Sequence, residues 1–256
     1  MSKARQRLGK KPFVWLFEEI ARPVGDAALP GCFWRQFRVM AVDGTSLEMQ
    51  DTAENRERFG IHRNQHGDLG YPQMKAAVLM ECGTRVPVGC AVGRNNAHEP
   101  LLFDQLLSKL NKEMLLLADR CYFDYQRWKR CADYAGALLW RVKGSQKVEM
   151  IKTFEDGSYL ARLRPSPRRV AKGQWSKEES VLVRVVEYRP QFEDGTEGET
   201  VRLFTNLLEP AEAPAGELAR LFPERWSEET GFNEFKTYLR GHYRVLRSPL
   251  PRAARG

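Results

Sequence analysis

The stretch MLLLADR (114–120) decides the fold. It is a short, almost purely apolar run that ends in the charged pair Asp119-Arg120. That is the pattern of a central strand covered on both faces. Working outward, EPLLFDQLLSKL (99–110) carries leucines at helical spacing, and DYQRWKRCADYAG (124–136) reads as a helix. ALLWRVKG (137–144) reads as another strand. Upstream, FRVMAVDGTSLEM (37–49) reads as a buried strand running into an Asp-Gly turn. PQMKAAVLMECG (72–83) and PVGCAVGR (87–94) read as two further strands joined by a turn. The polar, Gly-rich stretch 51–71 that precedes them reads as a loop. Three strands, helix, strand, helix, strand predicts an α/β fold with a mixed sheet covered by helices.

The texture changes at about residue 145. From there to 208, short β-rich runs (SYLARL, SVLVRVVEYR, ETVRLFTNLL) alternate with turns such as FEDGS, the pattern of a β-rich insertion. Residues 1–36 read as a basic, partly helical N-terminal region containing the amphipathic piece FVWLFEEI. Residues 37–144 form the first part of the core, and 209–248 return to it with a helix. Pro210 to Gly216 read as a linker, and the helix is expected to start near Pro223, because proline is tolerated in a first helical turn. The Pro/Arg tail 249–256 is expected to be disordered.

The chain has 256 residues, 42% of them hydrophobic, which excludes wholesale disorder and allows one large domain. Its net charge of +8 favours a polyanionic partner. Cys32, Cys82, Cys90, Cys121 and Cys131 form no CxxC pair, so they read as reduced thiols of a cytoplasmic protein. No apolar run approaches membrane-spanning length. No phosphate-binding glycine loop, nucleophile elbow or dinucleotide fingerprint is present.

Three carboxylates stand out. Asp43 lies just past one apolar strand, and Asp119 ends another. In open α/β sheets, ligands bind at the carboxyl ends of strands. Converging carboxylates there suit a divalent cation, which takes one or two of them together with waters and phosphate oxygens. Each residue also has an ordinary explanation: Asp43-Gly44 as a turn, Asp119-Arg120 as half of a surface ion pair. The third candidate has company. Arg225, Glu229, Phe232 and Lys236 follow at steps of four, three and four, so they share one helix face, which Phe222 begins. A solvated salt-bridge ladder would explain the charges on this face, but not the phenylalanines among them. Glu228 lies about 100° round the helix from Glu229.

At these residues the chain resembles the DDE transposases of bacterial insertion sequences, in the insertion-sequence-four family. Three blocks carry the likeness: MAVDGTSLEMQDT (40–52), LLLADRCYFDYQRW (115–128) and ERWSEETGFNEFKTYLRGHYRVLRS (224–248). The third follows the family's Tyr-x2-Arg-x3-Glu-x6-Lys signature at Phe222, Arg225, Glu229 and Lys236, with phenylalanine in place of tyrosine. The resemblance implies a ribonuclease H-like core, with the β-rich insertion between the second and third catalytic carboxylates. It implies that Asp43, Asp119 and Glu229 hold two divalent ions, Mg²⁺ or Mn²⁺, for cleavage and strand transfer at the element's ends. It further implies DNA partners (terminal inverted repeats and target), a homodimer when synapsed, and phosphate contacts by Arg225 and Lys236.

Arg120 is a further candidate DNA contact. So are Arg168 and Arg169, within a run from 161 to 177 that holds six Lys/Arg and no Asp or Glu. A solvated loop explains that run equally well. Trp140 and Trp175 are candidates for base stacking, with core packing the simpler role for Trp140. His62 and His66 have zinc-compatible spacing but no accompanying motif. His98-Glu99 reads as a helix start. Relatives carry longer ends, so a truncated DNA-binding protein without catalysis is one alternative expectation. A nuclease that cuts without joining is another.

Overall fold

The computed structural model describes residues 7–64, 67–191 and 195–226. Among these, ten strands join in one mixed sheet. The first half comprises β1 (Phe33–Trp34), β2 (Phe37–Glu48), β5 (Gln73–Glu81), β6 (Pro87–Gly93), β7 (Met114–Ala118) and β8 (Ala137–Arg141). The second half comprises β9 (Glu149–Thr153), β10 (Tyr159–Leu163), β11 (Val181–Tyr188) and β12 (Val201–Thr205). The order runs β6-β5-β2-β7-β8-β12-β11-β10-β9, with β1 paired to β2. The strand β7 is parallel to β2 on one side and to β8 on the other, and its five residues are all buried. Burying its three leucines contributes on the order of 5–9 kcal/mol before conformational entropy is counted.

Side chains alternate across this sheet and build two cores. Met40, Val42, Leu116, Ala118, Leu138 and Trp140 face one side. There they meet α3 (Glu99–Phe103) with its 3-10 continuation to Lys109, and α4 (Tyr125–Tyr134). Val39, Ala41, Leu115, Leu117 and Leu139 face the other side. They pack against α6 (Ala215–Leu221) and Phe222, which opens the 3-10 turn Phe222–Trp226. Trp140 is fully buried, edge-on to Trp128, so core packing is its role.

Three expectations change. The segment after Asp43 is not a turn: β2 continues through Gly44 to Glu48, paired to β5 with Asp43 opposite Val78 and Gly44 opposite Ala77. The loop at 51–71 contains a helix, α2 (Ala53–Phe59), whose first turn is capped by Thr52 and whose Asn55 and Phe59 are buried. It also contains the hairpin β3 (His62–Asn64) and β4 (Gly67–Leu69). The β-rich stretch extends the same sheet, because β12 pairs antiparallel with β8 and carries β11, β10 and β9 outward from it. Finally, a helix spans Ala215–Leu221, beginning within the expected linker, and the 3-10 turn Phe222–Trp226 follows it where the signature helix is expected to start, with the rest of that expected helix outside the described residues. In the N-terminal region, α1 (Lys11–Ile20) is helical, whereas residues 21–32 are not.

The start of α6 at Ala215 has a long-range cause. Asp156 accepts a hydrogen bond from the Ala215 backbone N–H at 2.9 Å, so the capping group comes from a turn in the β-rich half. Arg184, fully buried on β11, ties the same corner together. It donates to Asp156 and to the Ala213 carbonyl, each at 2.5 Å, and to Ser158 Oγ at 2.8 Å.

Candidate active site

The register of β2 with β7 positions the first two carboxylates. Val42 pairs with Ala118 across the parallel ladder, so Asp43 and Asp119 each follow a paired residue and sit at the same level. Neighbouring strands lie about 4.8 Å apart. Alternation places Asp43 with Val39 and Ala41, on the face that carries α6 and the 3-10 turn. Asp43 is held locally by the Gly44 N–H, which donates to its Oδ1 at 2.8 Å. Asp119 has a buried Oδ1 with no hydrogen-bond partner among the described residues. An orphaned carboxylate oxygen at a strand end is costly unless a cation or a proton meets it. The two aspartates therefore fit a divalent ion by donor chemistry and by placement.

A third carboxylate lies beside Gly44, on the opposite face of β2. Glu99 lies so near Gly44 that a Cβ there would sit 2.2 Å from Glu99 Oε2. Glu99 pairs with Lys75 at 3.6 Å. In the sequence this glutamate marks only a helix start, and no local spacing links it to Gly44. The Cys121 thiol registers the combined charge. Burial, then Asp119, Glu99 and Asp43, push it up to about 11.

The signature segment enters the structure at its first two positions. Phe222 and Arg225 are three residues apart on a 3-10 turn, where such side chains eclipse. Phe222 is buried, and the Arg225 guanidinium lies 5.9 Å from its ring centroid. Arg225 itself is only 5% exposed, and its Nη1 reaches Asp43 Oδ2 at 3.4 Å. The expected third carboxylate, Glu229, lies outside the described residues, as do Glu228, Phe232, Lys236 and His66. Among the described residues no three His, Cys, Asp or Glu side chains gather as a metal-holding group.

Arg120 is exposed immediately after Asp119. Arg168 and Arg169 lie on α5 (Pro167–Ala171), a short helix where the sequence suggested a loop. Arg169 donates to Asp124 Oδ2 at 2.7 Å and to Gln126 at 3.2 Å. Asp124 is the N-cap of α4, so this bond docks the basic helix beside the loop that begins at Asp119. Arg168, Arg169, Lys172, Gln126, Ser166 and Trp175 line an open hollow of about 740 Å³. Lys129 lies over the Trp175 ring, 4.8 Å from its centroid. His62 is exposed on β3. All five cysteines are free, and among the described residues no helix is long and apolar enough to cross a membrane.

The chain is similar to the transposase InsG for insertion sequence element IS4 of Escherichia coli (strain K12), 27% identical over 252 residues. That match covers 97% of this chain and 55% of the relative. It is also similar to the putative transposase InsZ of the same organism, 24% identical over 169 residues, covering 64% of this chain and 56% of the relative. The chain thus spans about half the length of the curated relatives it matches. The family described as "Transposase DDE domain" matches residues 34–249, from β1 past the whole signature segment. With Asp43 and Asp119 level on neighbouring parallel strands inside that match, the chain belongs to the DDE transposase domain family.

Proposed function

We propose that this protein is a DNA transposase that cleaves DNA strands at the ends of an insertion sequence and joins them to a target. In this reading Asp43, Asp119 and Glu229 form the catalytic triad of a ribonuclease H-like core. The observation that carries it is the alignment of Val42 with Ala118, which brings two aspartates 76 positions apart (119 − 43) to one level of the sheet. These carboxylates would hold two divalent ions, Mg²⁺ or Mn²⁺, which supply activation of a water or a 3′-hydroxyl and stabilisation of the leaving oxygen.

The chain's own residues then have defined tasks. Asp43 and Asp119 present oxygens from the rigid sheet, so little reorganisation is needed when charge develops. The buried walls on both sides of β2 and β7 keep bulk water away from their inner flanks. Arg120, Arg168 and Arg169, with Lys236 and Arg225 of the signature segment, are proposed to meet DNA phosphates. Arginine suits two-pronged contact, and lysine acts as a point charge. The docking of α5 on Asp124 supports this, since it sets the basic helix beside the loop that leaves Asp119. Joining two ends in one reaction calls for a second copy of the chain, so we propose a homodimer on DNA.

The test uses the full chain with a duplex carrying the element's terminal repeat. Asp43→Asn, Asp119→Asn and Glu229→Gln should each lower Mg²⁺-dependent cleavage at least 100-fold, an order-of-magnitude expectation for lost electrostatic stabilisation. DNA binding should persist. Joined products from the unaltered chain separate a transposase from a nuclease. Full cleavage by any of the three variants would remove that residue from the triad.

A further inference from the structure

We propose that Arg225 is a positioning residue that acts through Asp43, serving as the resident counter-cation of this carboxylate until a divalent ion takes its place. The inference rests on the reading of Asp43 as an ion ligand.

Other buried arginines of this fold show how a structural guanidinium is satisfied. Arg184 is fully buried, and its donors are taken up by Asp156, Ser158 Oγ and the Ala213 carbonyl. Arg127, 9% exposed, makes a two-pronged bond to Asp104 at 2.7 and 3.1 Å and donates to the Tyr122 carbonyl at 3.0 Å. In both, each guanidinium nitrogen has a hydrogen-bond partner, as a purely structural guanidinium needs to offset its lost hydration.

Arg225 is buried to the same degree and is not saturated. Its contact with Asp43 Oδ2 is 3.4 Å, at the long end for a hydrogen bond, and its Nε is buried without a partner among the described residues. The ring of Phe222 holds the guanidinium from one side. This is a loose hold on a strong charge, aimed at a carboxylate that the family chemistry needs for a cation. A guanidinium and a divalent ion attract the same oxygens and repel each other, so they compete for Asp43. Once displaced, the same guanidinium has unmet donors to offer a DNA phosphate. Ion binding and DNA binding are thereby coupled, and by linkage each strengthens the other.

The experiment titrates the DNA-free full chain with Mn²⁺ and follows free Mn²⁺ by electron paramagnetic resonance. Arg225→Gln should bind Mn²⁺ about tenfold more tightly than the unaltered chain, because a competing positive charge is gone. Arg225→Lys, which keeps a cation, should stay within about threefold of the unaltered chain. Thermal unfolding gives a second readout: Arg225→Gln should lose stability without Mn²⁺ and regain more than the unaltered chain when Mn²⁺ is added. If Arg225→Gln does not fold, Phe222→Leu loosens the seat of the guanidinium and should also tighten Mn²⁺ binding. Binding by Arg225→Gln, or by this second variant, that is no tighter than in the unaltered chain overturns the proposal. Asp43→Asn separates the two levels of failure. If it loses Mn²⁺ binding while Arg225→Gln changes nothing, the counter-cation role alone falls. If it binds Mn²⁺ normally, the ion-site reading falls with it.

Discussion

Among single residues, buried charges do specific structural jobs at positions the sequence hardly marks. Glu81, at the end of β5, has a side chain with no exposed surface. It accepts from the Gly25 N–H at 2.8 Å, the Val24 N–H at 3.2 Å and Thr84 Oγ1, and it pairs with Arg38. Burial raises its pKa, but the bonds from Thr84, Gly25, Arg38 and Val24 outweigh this and hold it below the ordinary glutamate value of 4.5. A carboxylate whose folded pKa is depressed contributes stability above its unfolded pKa and loses it as pH falls through the folded value. Glu81→Gln should therefore unfold more readily at neutral pH. The gap between variant and unaltered chain should narrow as pH drops below about 4.5. Denaturant midpoints measured from pH 7 to pH 3 check this; a gap that does not narrow with pH would contradict it.

The candidate site residues divide along the same line. Asp43 and Asp119 were legible because each ends an apolar run, a signal that a single strand carries by itself. Glu99 was not, because its place against Gly44 depends on how α3 crosses the sheet. The burial of Arg225 was not legible either, since its helical stripe places it on a face without saying what that face meets.

Among the elements, short-range signals served the central strands and failed where the stabilising partner is remote. The strands β7 and β8 and the helix α4 were evident from composition, and the Asp124 cap of α4 lies within the segment itself. The helix α2 was missed inside a polar stretch, although Thr52 caps it and Asp51 grips Arg56. The start of α6 was hidden because its cap, Asp156, belongs to a different part of the chain. Arg184→Met tests this long-range corner. It leaves Asp156 without its buried cation and should cost about 3–5 kcal/mol in unfolding free energy. Asp156→Asn, which keeps some of the bonds, should cost less. Gly136 governs the start of β8: a Cβ there would meet the Lys112 carbonyl oxygen at 2.0 Å. Its N–H donates to the Met114 carbonyl at 3.0 Å, which aligns β8 with β7. Gly136→Ala should destabilise by about 2–4 kcal/mol, since backbone rather than a movable side chain must yield. A change under about 1 kcal/mol would show that the strand start can relax.

Across the molecule, one continuous sheet joins the expected core to the β-rich half. The basic helix α5 is anchored on Asp124, next to the strand end that carries Asp119. The net charge of +8 gives a general preference for polyanions, and the helix that carries Arg168 and Arg169, held by the bond from Arg169 to Asp124, is proposed as one place where it acts. Replacing both with glutamate should weaken DNA binding across sequences. It should also flatten the slope of log affinity against log salt by about 0.9 for each phosphate no longer neutralised. A slope equal to that of the unaltered chain would mean that α5 does not touch DNA.

Carboxylates from three separate parts of the chain are proposed to gather around shared ions. Metal-centred cleavage of the protein reads this gathering without DNA: Fe²⁺ placed in the ion site, with hydrogen peroxide added as oxidant and ascorbate to reduce the Fe³⁺ formed, splits peroxide into hydroxide and a hydroxyl radical that cuts the backbone nearby. Three clusters of cuts are expected, around residues 43, 119 and 229, all suppressed by excess Mg²⁺ and absent from Asp43→Asn. Cuts confined to other regions, or clusters at 43 and 119 with none near 229, would contradict it.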